Sequence, residues 1–314
     1  MITYRTYQAG DESALLQLWN ETMPLDPLSQ MRYRRLVLLD PNFDPQGMQL
    51  AFDSEELIGC VYAVRRLVPM LGSDLEEDKG WIPFFFVASN MQRKGIGREL
   101  MKRALQFLKE INRNTVFFAA YAPNYILPGV DEKAYPNAVH FLKQLGFSSL
   151  YSPVAMDLRL QEFHPSSQLA SLKRIRETEG YSFSSCHNED IYPLIQFATA
   201  YNSDWGRAIR EGFMQAISLR QVLIVKKEKK IVGFCLYGGY EGVRERFGPF
   251  GVDDREQGKG LGAVLLHECL QQMKQDSLHG AWFLWTSETS AAGKLYKRFG
   301  FKITRRFHVM QTKI

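Results

Sequence analysis

The chain has 314 residues, 45% of them hydrophobic and 23% charged, with a formal net charge of +5. This is the composition of a folded globular protein long enough for two cores, and it excludes disordered and fibrous classes. No stretch approaches the ~20 uninterrupted apolar residues of a membrane span, and the 39 basic and 34 acidic residues are spread along the chain instead of forming a dense basic stripe, so neither a membrane nor a nucleic-acid partner is expected. Cys60, Cys186, Cys235 and Cys269 lie far apart, without a C-x-x-C pair or a histidine at ligand spacing. They read as reduced core thiols, and no metal site is expected.

In chain order, MITYRTYQAGDESALL opens directly on strand-like alternation, without the apolar core and cleavage site of a signal peptide, so a cytoplasmic location is the expectation. EELIGCVY, Glu55 to Tyr62, follows a strand-like run and a charged turn and reads as the second arm of a hairpin. Phe84 to Val87 then form a strand, followed by QRKGIG and an amphipathic helix whose apolar stripe is Leu100, Met101, Ala104, Leu105 and Leu108. After the proline- and glycine-bearing loop PNYILPGVDEK, the segment AVHFLKQLGF is a short helix closed by glycine and re-entering a strand. QEFHPSSQLASLKRIRETEG, Gln161 to Gly180, is more polar and reads as a linker between domains over 1–160 and 181–314.

The second half repeats the first. At a constant offset of 165, Phe85 falls on Phe250, Val87 on Val252, Gln92 on Gln257, Lys94 on Lys259, Gly95 on Gly260 and Gly97 on Gly262. KKIVGFCLY, Lys229 to Tyr237, answers the first hairpin, and AGKLYKRFGF answers AVHFLKQLGF, with a connection 11 residues longer in the first copy. Each copy is strand, one or two helices, hairpin, strand, glycine loop, long helix, strand, helix, strand. That order predicts an α/β protein in which each copy is a mixed sheet flanked by helices.

Taken alone, REQGKGLGAV, Arg255 to Val264, is either a plain turn or a diphosphate cradle. In the second reading, glycines let the backbone approach the phosphates while N–H groups at the start of a helix, lacking intrahelical acceptors, face them at the positive end of the dipole. The dinucleotide motif G-x-G-x-x-G and the P-loop GK[ST] are both absent. Recurrence of the loop with its flanking elements in order favours the cradle.

Both copies resemble the GNAT superfamily of acyl-CoA-dependent N-acetyltransferases, whose signature is Q/R-x-x-G-x-G/A after a strand and a later Y-x-x-x-G-F. The resemblance covers nearly the whole chain as a tandem pair, and implies two mostly antiparallel twisted sheets. It implies that the diphosphate of acetyl-CoA binds Gln257, Gly258, Lys259, Gly260, Leu261 and Gly262, and in the first copy Gln92, Lys94, Gly95 and Gly97. The family's splayed fourth strand, where a backbone N–H meets the thioester carbonyl, falls at Phe250 and Val252 and at Val87. Tyr296 begins YKRFGF and takes the role of acid for the departing thiolate, as suits a phenol. Leu142 stands at that position in the first copy, leaving it to bind without turnover, to use another group such as Tyr135, or to serve as scaffold.

The resemblance therefore implies an N-acetyltransferase acting on a small-molecule or peptide amine, with its working site in the C-terminal copy. Thr289 stands where the family often has an asparagine, seven residues before the tyrosine, near the pantetheine. Glu241 or Glu245 is the expected base, and Asp204 and Trp205 are expected near the acceptor, with a helix N-cap the favoured role for Asp204. A non-catalytic acyl-CoA-binding regulator is the alternative reading, and either a monomer or a homodimer fits the tandem arrangement.

Overall fold

A computed structural model describes all residues except 71–73, 123 and 216. The elements are β1 (Ile2–Thr6), α1 (Glu12–Thr22), α2 (Gln30–Tyr33), β2 (Met48–Asp53), β3 (Glu56–Val64), β4 (Lys79–Val87), α3 (Ile96–Glu110), β5 (Thr115–Phe118), β6 (Val130–Asp131), α4 (Pro136–Gln144) and β7 (Ser148–Tyr151). They continue with β8 (Val154–Arg159), α5 (Ser167–Thr178), β9 (Tyr181–Ser185), α6 (Ile191–Tyr201), α7 (Ser203–Met214), β10 (Val222–Lys227), β11 (Lys230–Tyr237), β12 (Phe247–Val252), α8 (Leu261–Gln275), β13 (Gly280–Thr286), α9 (Ala291–Arg298) and β14 (Lys302–Lys313). The order of elements in each copy is the one expected, and the protein is a mixed α/β fold.

Two compact units make up the chain. Among the described residues, the first holds Met1–Pro69, 74–153 and Arg306–Ile314; the second holds Met70 and Val154–Arg305. In the first unit β1, β2, β3 and β4 are antiparallel neighbours, and β4 pairs in parallel with β5. Alternation along β4 sorts its side chains. Beyond the register shift that falls between Trp81 and Phe84, Phe84 and Phe86 face a core built with Trp19 and Leu15 of α1, whereas Phe85 and Val87 face the α3 side with Leu100, Met101, Ala104 and Leu108. The indole of Trp19 meets the rings of Phe84 and Phe86 edge-on at 5.0 and 5.3 Å.

The second unit builds an antiparallel sheet in the order β12-β11-β10-β9, with β13 paired to β8. Leu265, Leu266, Cys269, Leu270 and Met273 of α8 supply its central apolar stripe. All four cysteines are buried free thiols.

The division departs from boundaries at 160 and 180 in two places. The expected linker contains a helix, α5, capped by the Ser166 hydroxyl accepting from the Leu169 N–H at 3.3 Å. The final strands are also exchanged: β8, from the first copy, pairs with β13 inside the second unit, while the end of β14 pairs with β5 inside the first. Met310 sits opposite Phe118 and is fully buried in the core that contains Val116 and Leu142.

Met310→Ala is therefore expected to cost about 2–5 kcal/mol, seen as a lower midpoint in chemical denaturation of the N-terminal unit. A fragment of residues 1–160 lacks the strand that completes its sheet. It should be insoluble or unfolded by circular dichroism when expressed alone, and recover when residues 161–314 are supplied in trans.

Candidate functional site

The cleft of the first unit begins where one ladder ends. β4 and β5 pair from Lys79↔Thr115 to Ile82↔Phe118, and the last bond between them is the Ala119 N–H donating to the Ile82 carbonyl at 2.9 Å. Beyond it the two strands separate, leaving the β5-facing backbone edge of Phe84–Val87 outside the ladder. A cleft of about 540 Å³ opens there, walled by Phe84–Val87, by Phe118 and Ala119, and by Tyr135 and Phe141 on the α4 side. The longer connection present only in the first copy contributes Leu127, Gly129 and Val130; its first residue, Pro123, lies outside the described residues.

Gln92, Arg93, Gly95, Gly97 and Arg98 line the end of this cleft. Gly95 is the N-cap of α3 at φ 85°, a left-handed conformation that glycine adopts without strain. Nothing lies within 4 Å of where its Cβ would be, so the loop is open over the helix start. The N–H groups of Ile96, Gly97 and Arg98 are in the first turn and have no intrahelical acceptor. Gln92 ties the loop to the strand, its side-chain Nε2 donating to the Val87 carbonyl at 3.1 Å, and Lys94 lies on the exposed side against the sulfur of Met91.

Across the cleft, Tyr135 is the residue before α4, and Pro136 fixes the helix start behind it. Its hydroxyl donates to Asp26 Oδ2 at 2.6 Å. Asp26 is itself held in place: its carbonyl accepts from the Trp19 indole N–H at 2.7 Å and its N–H donates to the Met23 carbonyl at 3.0 Å. Leu142 is fully buried and packs into the core, while His140 lines the cleft one turn into α4.

The second unit is built differently at the corresponding places. Tyr296 is only 6% exposed, and its ring lies within 4.6–6.0 Å of the rings of Phe283, Phe301, Phe247 and Phe250. Burial raises its phenol pKa well above the ordinary value. Gly260 again caps its helix at φ 78°, and Gly258 is left-handed too, but a side chain at 260 would strike Leu172 of α5. Arg176 of α5 donates from Nε to the Lys259 carbonyl at 2.7 Å. The Lys259 ammonium is taken by Glu256 Oε2 at 2.6 Å, with the Tyr181 hydroxyl 3.1 Å away. Those same two partners, Lys259 first, hold the Glu256 carboxyl below the usual range.

Gln257 turns to Asp254 Oδ1 at 2.6 Å instead of to the strand, and Asp253 grips Arg255, which pulls the Asp253 carboxyl down to about 2. Leu261 is buried at the first turn of α8, whereas Gly262 faces Phe250 and Val252 of β12. Glu241 is engaged by Arg246 at 2.7 Å, and Glu245 is half-buried with its carbonyl accepting from the Trp282 N–H. Thr289 is exposed, 3.3 Å from the Ser287 hydroxyl.

Asp204 is not the N-cap of α7. That place belongs to Asn202, whose side chain accepts from the Asp204 N–H at 2.8 Å, and Asp204 sits in the first turn bound to Arg207 at 2.7 Å. The Trp205 ring packs over Gly251 of β12 and against Phe234. His267 is buried and accepts from the Ser166 N–H at 2.9 Å.

The two loops thus differ in charge. Ala88–Arg98 carries Arg93, Lys94 and Arg98 and no carboxylate, a sum of +3; the aligned Asp253–Ala263 carries Arg255 and Lys259 against Asp253, Asp254 and Glu256, a sum of −1. A diphosphate is favoured by the first and opposed by the second. Sequence reading weighed the glycines and Tyr296 and passed over this contrast, although ASNMQRKGIGR and DDREQGKGLGA display it directly. The Asp26–Tyr135 pair was missed because 109 positions separate its members.

Residues 13–147 match the model of the acetyltransferase (GNAT) family and residues 218–303 that of an acetyltransferase (GNAT) domain. No curated protein matches the chain in sequence. Among solved structures, it is similar to the GCN5-related glucosamine N-acetyltransferase region of a fungal multi-domain GH3 β-N-acetylglucosaminidase, with a TM-score of 0.80 and 16% identity over 99% of this chain. It spans 38% of that fungal chain. It is also similar to a GCN5-related N-acetyltransferase from Sphaerobacter thermophilus, with a TM-score of 0.67 and 15% identity over 99% of this chain and 95% of the other. A tandem GNAT protein from the clavulanic acid biosynthesis pathway aligns at 0.65 and 13% identity, over 100% and 98% of the two chains. At such identities the likeness is one of fold. With both of its halves matched in this way, the chain belongs to the GNAT acetyltransferases and carries two domains of that family.

Proposed function

We propose that the protein transfers an acetyl group from acetyl-CoA to a primary amine of a small molecule or peptide, and that the N-terminal unit carries the reaction. This reverses the expectation drawn from Tyr296. The observation that carries it is the pairing, in one unit, of an open strand splay with a glycine loop bearing Arg93, Lys94 and Arg98 and no carboxylate. In the second unit the counterpart loop is anionic, its lysine is bound to Glu256, and α5 lies against it.

The residues present fit the nucleotide's diphosphate: N–H groups at the start of α3, flanked by guanidinium groups able to make charge-assisted hydrogen bonds. Bound acetyl-CoA supplies an acyl group activated as a thioester. The separated edge of Phe84–Val87 presents backbone N–H groups to an oxyanion formed at its carbonyl, and the aromatic walls exclude water, so those dipoles act at low dielectric. The glycine loop and the splay together hold the reacting carbonyl in line for the amine.

No described helix is long and apolar enough to cross a membrane. A cytoplasmic protein, monomeric or dimeric, remains our reading of the sequence. The acyl-CoA-binding regulator is the second reading, and Leu142 is what favours it, since the family's usual acid is missing from the unit with the cationic loop.

Replacing both Arg93 and Arg98 by alanine should weaken coenzyme A binding about 10²-fold, the loss of two charge-assisted contacts of about 1.5 kcal/mol each, whereas Lys259→Ala should change it by less than about twofold. Isothermal titration reads both, and the opposite ranking would move the site to the second unit. Tyr296→Phe is expected to leave thiol release from acetyl-CoA in the presence of a panel of primary amines unchanged. Tight binding with no release for any amine would favour the regulator.

A further inference from the structure

An amine acceptor must lose a proton to become and remain a product amide, yet none of the described residues lining the cleft is an aspartate or glutamate. The wall does contain Tyr135, and directly behind it stands a carboxylate, Asp26, joined to the phenol by a 2.6 Å hydrogen bond. We propose that Tyr135 and Asp26 form a proton relay for the acceptor amine: Tyr135 Oη takes the amine proton while its own proton passes to Asp26 Oδ2. The inference rests on the placement of acyl transfer in the N-terminal unit.

The geometry suits a relay better than a simple donor. The Tyr135 proton is given to Asp26, so toward an acceptor amine the hydroxyl oxygen acts as an acceptor. A phenol is a poor base alone. Transfer of its proton to a carboxylate in the same event avoids a free phenolate, and the short bond keeps the two transfers coupled.

Both ends are fixed. Tyr135 is held by its N–H donating to the Asp131 carbonyl at 2.8 Å and by Pro136, while the Asp26 turn is held by Trp19 and Met23. Asn20 adds a second clamp, exchanging hydrogen bonds with both backbone groups of Leu28 at 2.8 and 3.1 Å. A turn pinned in this way keeps its carboxylate at the cleft without reorganisation during the reaction.

The step balances. The amine nitrogen forms the C–N bond, the thioester C–S bond breaks, and coenzyme A leaves as the thiolate. The acceptor's ammonium first gives one proton to Tyr135 Oη as Tyr135 gives its own to Asp26, which passes it to solvent; the free amine then attacks, and the second nitrogen proton goes to the departing thiolate, directly or through water. The relay also explains how a copy carrying Leu142 can turn over, since its proton handling is assigned to the acceptor side.

The test measures, for wild type, Asp26→Asn and Tyr135→Phe, the dissociation constant for coenzyme A by titration and kcat for thiol release from acetyl-CoA with whichever amine of the panel the wild type uses. Both variants should bind coenzyme A as tightly as wild type and lose about 10²-fold in kcat. Their residual rates should climb with pH through the neutral and alkaline range, because only amine already deprotonated in solution reacts, while the wild-type rate levels off. Wild-type kcat and an unchanged pH profile in either variant would overturn the relay. Failure of the underlying site assignment looks different: coenzyme A affinity would then be insensitive to the Arg93 and Arg98 substitutions. Unchanged coenzyme A affinity in the relay variants separates lost chemistry from lost folding.

Discussion

β4 and β5 stay paired only as far as Ile82, whose carbonyl accepts from the Ala119 N–H at 2.9 Å, while β4 itself runs on to Val87. The cleft of the N-terminal unit depends on that stop. Continued pairing would use up the N–H edge of Phe84–Val87 and close the space beside it. The sheet alternation then decides what the opening contains, because the residues of β4 point in turn to the α1 and α3 cores. Their backbone, freed on one side and packed on both faces, becomes a rigid row of donors.

Much of this was legible in the sequence. The repeat at an offset of 165 places Gly95 and Gly260 at the same left-handed cap of equivalent helices, and aligns Trp81 of β4 with Arg246, the residue before β12, opposite Phe117 and Trp282. Hairpins, long helices and the order of elements followed from patterns spanning a few residues. The Tyr296 motif was equally visible, yet its surroundings were not. Phe247, Phe283 and Phe301 come from three separate segments, and only their convergence buries the phenol. Asn202 displaced Asp204 as the cap because two candidate capping side chains stood within one turn and their backbone conformations decide between them.

The two copies show how a duplicated loop can keep its glycines and diverge in chemistry. The backbone conformation survives in both, since it depends on glycine at two or three positions, whereas the charges around it are free to change. In the second copy those charges became partners for one another. Asp253 holds Arg255, Glu256 holds Lys259, and Arg176 holds the Lys259 carbonyl, so groups that could meet a ligand instead stabilise the unit internally. The longer connection of the first copy went the other way and became cleft wall.

The exchanged strands set the order in which the protein can be assembled during synthesis. The first unit includes Arg306–Ile314, and β5 has no neighbour on its outer side until β14 arrives. Emerging N-terminal first, the chain must therefore expose the first unit's open β5 edge until β14 has been made, while the second unit pairs β13 with β8, which is made earlier. The unit with the cleft is begun before the second unit and closed after it, when β14 pairs with β5.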